Sequence, residues 1–162
     1  MAQPDVMQRL REIPFSARLP EKALTDLAAI AEIRSVPGGA RLFREGEPHC
    51  CIYLLISGSI VLEMHVPGRG KVQILTIGPG DVLGWSPVVS DTVMTATATT
   101  LEDTELIEIQ AGALLQLCES DREVGYFLMQ QMAAALSRRL VATRLQLLDL
   151  FAETTPQQPS PL

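Results

Sequence analysis

The segment GDVLGWSPVVSDTVMTATATT, residues 80–100, has the residue types of an anion cradle but contains no Lys, Arg or Glu. Ser86 followed by Pro87 reads as an N-cap and first-turn pair, because the hydroxyl accepts an orphan backbone N–H and proline has none to leave unpaired. On that reading the amides of Gly84, Trp85 and Ser86 converge on one spot, with Thr95 opposite. Helix N-termini attract anions without any basic side chain, so a weak anion site is one reading of the segment. A capped turn that simply stops a strand is the other.

Few other residues offer chemistry. Cys50, Cys51 and Cys118 are odd in number, lack C-x-x-C spacing and sit in apolar stretches, so buried reduced thiols are expected. His49 and His65 have no ligand partners at metal-site spacing, apart from the two cysteines beside His49, and no metal is expected. Glu45 and Glu47 flank Gly46 in a turn with no nucleophile or base near them in sequence. Arg69 and Lys71 lie in a hairpin from which they either reach an anion or serve solubility alone. No catalytic constellation emerges, and no enzyme is expected.

The elements that must position this segment are legible from periodicity. Ala23, Leu24, Leu27, Ile30 and Ala31 recur at helical steps and predict a helix over Pro20 to Ile33. From Val36 to Ile109 the texture changes to short β-branched or Leu-rich runs (CIYLLI, SIVLEMHV, KVQILTI, TELIEI) punctuated by PGG, SGS, PGRG and GPGD. Short strands and tight turns at near-regular spacing predict a mainly β roll with flanking helices, and Pro67-Gly68-Arg69-Gly70 is its clearest hairpin turn. AGALLQLCE then reads as a short helix, and the Ser120/Glu123 pair as the capping box of a long one. Met129, Met132, Leu136, Leu140, Thr143, Leu147 and Leu150 fall at steps of three or four along it. A helix over Asp121 to Phe151 would run roughly 45 Å, more than a small roll covers, so the stripe predicts a homodimer seam. The expected organisation is 1–119 as helix, roll and short helix, 120–151 as dimerisation helix, and the Pro- and Gln-rich 152–162 as a disordered tail.

Composition narrows the function classes. The chain has 162 residues, 47% of them hydrophobic, which suits one domain with a genuine core. A net charge of -6 opposes nucleic-acid binding, since phosphate contacts need a clustered basic footprint that 13 scattered Lys and Arg do not supply. Neither a signal-peptide run nor a stretch of ~18 apolar residues is present, so a cytoplasmic protein without membrane contact is expected.

Four motifs then act jointly: Leu42-Phe43-Arg44-Glu45-Gly46-Glu47, Tyr53-Leu54-Leu55-Ile56-Ser57-Gly58-Ser59, Gly78-Pro79-Gly80-Asp81-Val82-Leu83-Gly84 and Ser137-Arg138-Arg139-Leu140. With the order of elements they make residues 15–151 resemble the cyclic-nucleotide-binding domain of Crp/Fnr-type regulators. The resemblance implies a jelly-roll-like β-roll (a double-stranded β-helix) with a long C-terminal helix. It also implies a Glu for the ribose hydroxyl after the last Gly and, about ten residues on, Arg-Ser/Thr-Ala for the cyclic phosphate. Those slots hold Trp85 and Met94-Thr95-Ala96, so both charged ligand contacts are missing. Thr143 matches the position that touches the base in the family. Family members that regulate transcription continue into a helix-turn-helix, whereas this sequence runs into a Pro-rich stretch. The expectation is a stand-alone sensor or signalling module for a small ligand, with a cyclic nucleotide or other small anion as the class left open. The alternative is a ligand-free dimerisation module or an adaptor for a protein partner.

Overall fold

The structure, a computed structural model, describes residues 4–90 and 93–153. Among the described residues, eight strands form two antiparallel four-stranded sheets. The first has the order β1 (Ala31–Val36), β8 (Thr104–Gln110), β3 (Cys51–Ser57), β6 (Val82–Leu83), and the second β2 (Arg41–Phe43), β7 (Thr97–Thr100), β4 (Ile60–Val66), β5 (Gly70–Ile77). The roll predicted from the sequence is therefore present, with the Pro67–Gly70 turn joining β4 to β5.

The unbroken apolar run of β3 has a direct physical cause: both of its faces are buried. Cys51, Tyr53 and Leu55 point into the core between the sheets, with Phe43, Ile60, Leu83, Met94 and Leu106. Ile52 and Leu54 face the other way, into a second core shared with the helices. That second core is built by α1 (Pro4–Glu12), α2 (Pro14–Ala17), α3 (Glu21–Ala29), α5 (Ala111–Ser120) and the first half of α6 (Arg122–Glu153).

The predicted helix over Pro20 to Ile33 is shorter than expected. It ends at Ala29, Ile30 closes it with an N–H bond to the Leu27 carbonyl, and Ala31 begins β1. All six residues of β1 pair with β8, from Ala31 opposite Ile109 to Val36 opposite Thr104, and these long-range ladder bonds outweigh the helical spacing of Ile30 and Ala31. The helix α1 went unpredicted, although Val6 and Leu10, one turn apart, are completely buried.

The start of α6 also differs from the sequence reading. Ser120 is the last residue of α5, and its hydroxyl donates back to the Leu117 carbonyl at 3.1 Å, so it caps nothing in α6. Asp121 has the extended backbone a cap requires, and its Oδ1 accepts the N–H groups of Glu123 and Val124, each at 3.1 Å. Its other oxygen meets Lys22 Nζ at 2.7 Å, and Lys22 also reaches Asp26 at 2.7 Å. This cluster ties α3 to the first turn of α6. The Lys22 ammonium, followed by the Val124 and Glu123 amides, holds the Asp121 carboxyl below its ordinary value.

Along α6 the predicted seam divides in two. Met132 is buried in the chain's own core, as are Val124 and Leu128, and Met129 and Leu136 pack against it. Met132 is thus a core residue and is not available to a seam. Leu140, Leu147 and Leu150 are exposed. Because the inner half of α6 shares one core with α1–α3 and α5, the boundary expected near residue 120 does not separate two packing units. At its far end α6 includes Ala152 and Glu153, which had been assigned to a tail; the rest of that segment lies outside the described residues.

Candidate functional site

The segment 80–100 borders a cavity of about 130 Å³. Its walls are Phe43, Leu62, Met64, Ile74 and Leu83 from the roll, Gly84, Trp85 and Ser86 from the turn after β6, and Met94, Thr95 and Ala96 from the strand-entry loop, with Arg139 of α6 closing one side. Six of the seven candidate ligand residues therefore converge: Gly84, Trp85, Ser86, Met94, Thr95 and Ala96. The seventh, Thr143, does not line the cavity. Its hydroxyl donates to the Arg139 carbonyl one turn back at 2.8 Å, so the group is spent inside its own helix.

Gly84 is the residue that lets this turn form. Its φ is +76°, and a Cβ there would sit 2.7 Å from the Cys51 carbonyl oxygen, so both backbone sign and strand proximity exclude a side chain. The next residue, Trp85, caps the short helix α4 (Ser86–Val89) through its backbone; its carbonyl accepts from Val88 at 3.0 Å and Val89 at 3.2 Å. Ser86 is thus the first helical residue and not the N-cap, which corrects the sequence reading. Placing Pro87 at the second helical position moves the cap to Trp85, which has no side-chain oxygen to offer. The indole packs partly against the helix-side core while bordering the cavity.

Met94 is buried and pinned on both sides. Its N–H donates to Glu47 O at 3.0 Å, and its carbonyl accepts from Gly46 N at 2.8 Å. These bonds fasten the loop to the turn of residues 44–48, where Glu45 also accepts from the His65 amide at 2.7 Å. Glu45 therefore links this turn to β4. Among the described residues of the cavity wall there is no carboxylate, and the one cation is Arg139.

Arg139 is the functional candidate that sequence reasoning passed over. It also lines a second cavity of about 240 Å³, together with Gly80, Asp81, Val82 and Arg138. Its guanidinium donates to the Val82 carbonyl on β6. Burial lowers its pKa from the usual arginine value, and Asp81 opposes that shift. The available signal was a charge at position 139 on the buried face of α6, one turn beyond Leu136.

Of the remaining candidates, His49, Cys51 and Cys118 are structural, whereas Cys50 is exposed, against the expectation of a buried thiol. His49 Nε2 and the Tyr53 hydroxyl are 2.9 Å apart, and burial lowers the imidazole pKa. Burial also pushes the Cys51 thiol up to about 12 and raises that of Cys118, which disfavours a reactive thiolate at either. Among the described residues no group of three His, Cys, Asp or Glu is placed to hold a metal ion. No helix among them is long and apolar enough to cross a membrane.

The family profile described as the cyclic nucleotide-binding domain matches residues 33–121, from β1 to the cap of α6. The chain belongs to that family. It is 31% identical over 121 residues to the CRP-like cAMP-activated global transcriptional regulator of Mycobacterium tuberculosis, covering 74% of this chain and 52% of the relative. The chain thus spans about half the length of the curated relative it matches. Among solved structures, it is similar to the N-terminal domain of a transcriptional regulator from Streptomyces coelicolor A3(2), with TM-score 0.67, 25% identity, and coverage of 83% of this chain and 94% of that one. It is also similar to the Thermus thermophilus catabolite activator protein, with TM-score 0.68, 26% identity, and coverage of 86% and 63%. In this cyclic nucleotide-binding domain, the slots that the resemblance assigns to the ribose-binding Glu and the phosphate-binding Arg are occupied by Trp85 and Met94, both in the wall of the smaller cavity.

Proposed function

We propose that this domain is a ligand-responsive regulatory module, cytoplasmic and without catalysis of its own, that pairs with a second copy through α6 and does not take a cyclic nucleotide in the usual pose. The observation that carries the reading is the composition of the cavity wall, with Trp85 and Met94 in the two slots where charged ligand contacts are expected. Losing one partner of a buried charged hydrogen-bonded pair costs about 2–5 kcal/mol, and about 1.4 kcal/mol is tenfold in affinity. A site of ~μM affinity would fall to about millimolar or weaker. A cavity of about 130 Å³ is also small against the roughly 300–1,000 Å³ of pockets that enclose drug-sized ligands.

Isothermal calorimetry with cAMP and cGMP tests the reading; no heat at low-micromolar ligand is expected, and low-micromolar affinity for either overturns it. Pairing is supported by the exposed Leu140 and Leu147 on the outer half of α6, each of which gains about 1.5–3 kcal/mol from full burial. One apolar stripe is self-complementary across a twofold axis, so a parallel pair of helices is the simplest cover.

The pinned and buried Met94 favours a second reading, a dimerisation or adaptor module that binds no small ligand. Thermal-shift screening separates the two, because ligand at about 100 times its dissociation constant adds ~2.7 kcal/mol to a domain that binds it and nothing to one that does not.

A further inference from the structure

Arg139 is a cation held against an apolar cavity by a neutral acceptor. Among the described residues no carboxylate lies within ion-pair distance of it. The guanidinium carries five N–H donors, and the acceptor it meets is the Val82 carbonyl. Taking a cation out of water is costly unless an anion faces it. The nearest candidate, Asp81, borders only the larger cavity and already accepts the Gly78 amide at 3.1 Å. Arg139 lines the smaller cavity together with Phe43, Leu62, Leu83 and Met94, and no negative group is among the described lining residues.

We infer that Arg139 is the anion anchor of the smaller cavity and that its ligand is a small organic monoanion with an apolar body, of the class of a medium-chain carboxylate. The inference rests on the reading of this cavity as a ligand site. One guanidinium matches one carboxylate, whose two oxygens accept parallel N–H bonds from the planar fork. The walls are mostly apolar, with Ser86 and Thr95 as hydroxyl residues among them, and suit a hydrocarbon body better than a sugar. The volume of about 130 Å³ limits that body to a short one. The geometry also couples the ligand to the long helix. The guanidinium that fastens α6 to β6 through the Val82 carbonyl is the one that offers its remaining N–H groups to the anion.

Trp85 is the chain's single tryptophan and lines the cavity, so its fluorescence reports occupancy without a label. The full chain is titrated with hexanoate and, in parallel, with the neutral isostere hexanamide. Hexanoate is expected to shift Trp85 emission at about tenfold lower concentration than the amide. Arg139→Gln should erase that preference, whereas Arg139→Lys, which keeps the charge, should retain most of it; circular dichroism checks that both variants fold. Should Arg139→Gln fail to fold, the acid-against-amide comparison in the unmodified chain and in Arg139→Lys still decides. An equal response to acid and amide, a preference that survives in a folded Arg139→Gln, or no response to either at tens of millimolar each overturns the inference. Low-micromolar binding of cAMP in the same assay strikes the proposed function instead, which keeps the two failures distinct.

Discussion

The inner and outer halves of α6 carry similar apolar side chains and have opposite surroundings. Val124, Leu128 and Met132 are 3%, 1% and 2% exposed, whereas Leu140, Leu147 and Leu150 are 52%, 54% and 63% exposed. The inner half meets α2, α3 and α5; the outer half extends past the roll. Hydrophobic spacing alone therefore says that a face wants cover, and not whether the cover comes from the same chain or another. Arg139 stands at the boundary, the last inner residue that still bonds to the roll.

The contrast can be broken from either side. The largest effect is expected from Leu128→Ala, which removes a fully buried side chain from the helix-side core and should cost about 2–5 kcal/mol in denaturant unfolding. A cost near that of an exposed position would show that the inner half is not integral to the core. Next, Leu140→Glu combined with Leu147→Glu should give folded monomers in light scattering at tens of micromolar, where the proposed pairing through α6 predicts a dimer for the unmodified chain. Both positions are exposed in the single chain, so the secondary structure seen by circular dichroism should persist. Leu136 is a poor choice for this test, because it packs against the chain's own core and a charge there would damage the fold as well. A dimer that survives the double substitution would place the seam elsewhere.

The smallest effect sharpens the inner half. The Asp121 carboxyl is held below its ordinary value, so its contribution to stability is present above the usual carboxylate range and lost as pH falls through the depressed folded value. Melting temperature followed from neutral to acid pH should therefore show a flatter dependence in Asp121→Asn, with a loss at neutral pH well below that of Leu128→Ala. An unchanged pH profile would remove the Lys22–Asp121 contact from any role in stability.

Much of this architecture was legible before any coordinates. The runs that become β3, β4, β5 and β8, the β4–β5 hairpin, α5 and the length of α6 follow from period and turn chemistry, because each is decided locally, whereas β1, β2, β6 and β7 were not singled out as strands. The end of α3 was not legible, since Ile30 and Ala31 fit a helix until the β8 ladder claims the chain. Ser120 and Ser86 both looked like caps by residue type, but each already lies inside a helix, a matter of phase that composition does not carry. Six cavity residues were found because they are close in sequence around one turn. Arg139 was missed because it comes from another element and only tertiary packing brings it to Gly84 and Met94.

Gly125, in the first turn of α6, packs directly on the end of α5. A Cβ there would lie 2.7 Å from the Cys118 carbonyl oxygen and 2.9 Å from its Cα, so a methyl group has no room unless one helix gives way. With 32 residues at ~1.5 Å each, α6 is a lever of roughly 48 Å. A tilt of about 5° at this elbow would swing the far end by about 4 Å, given that length. The missing methyl thus sets how closely α6 approaches α5, and through that approach the direction in which the exposed outer half of α6 points.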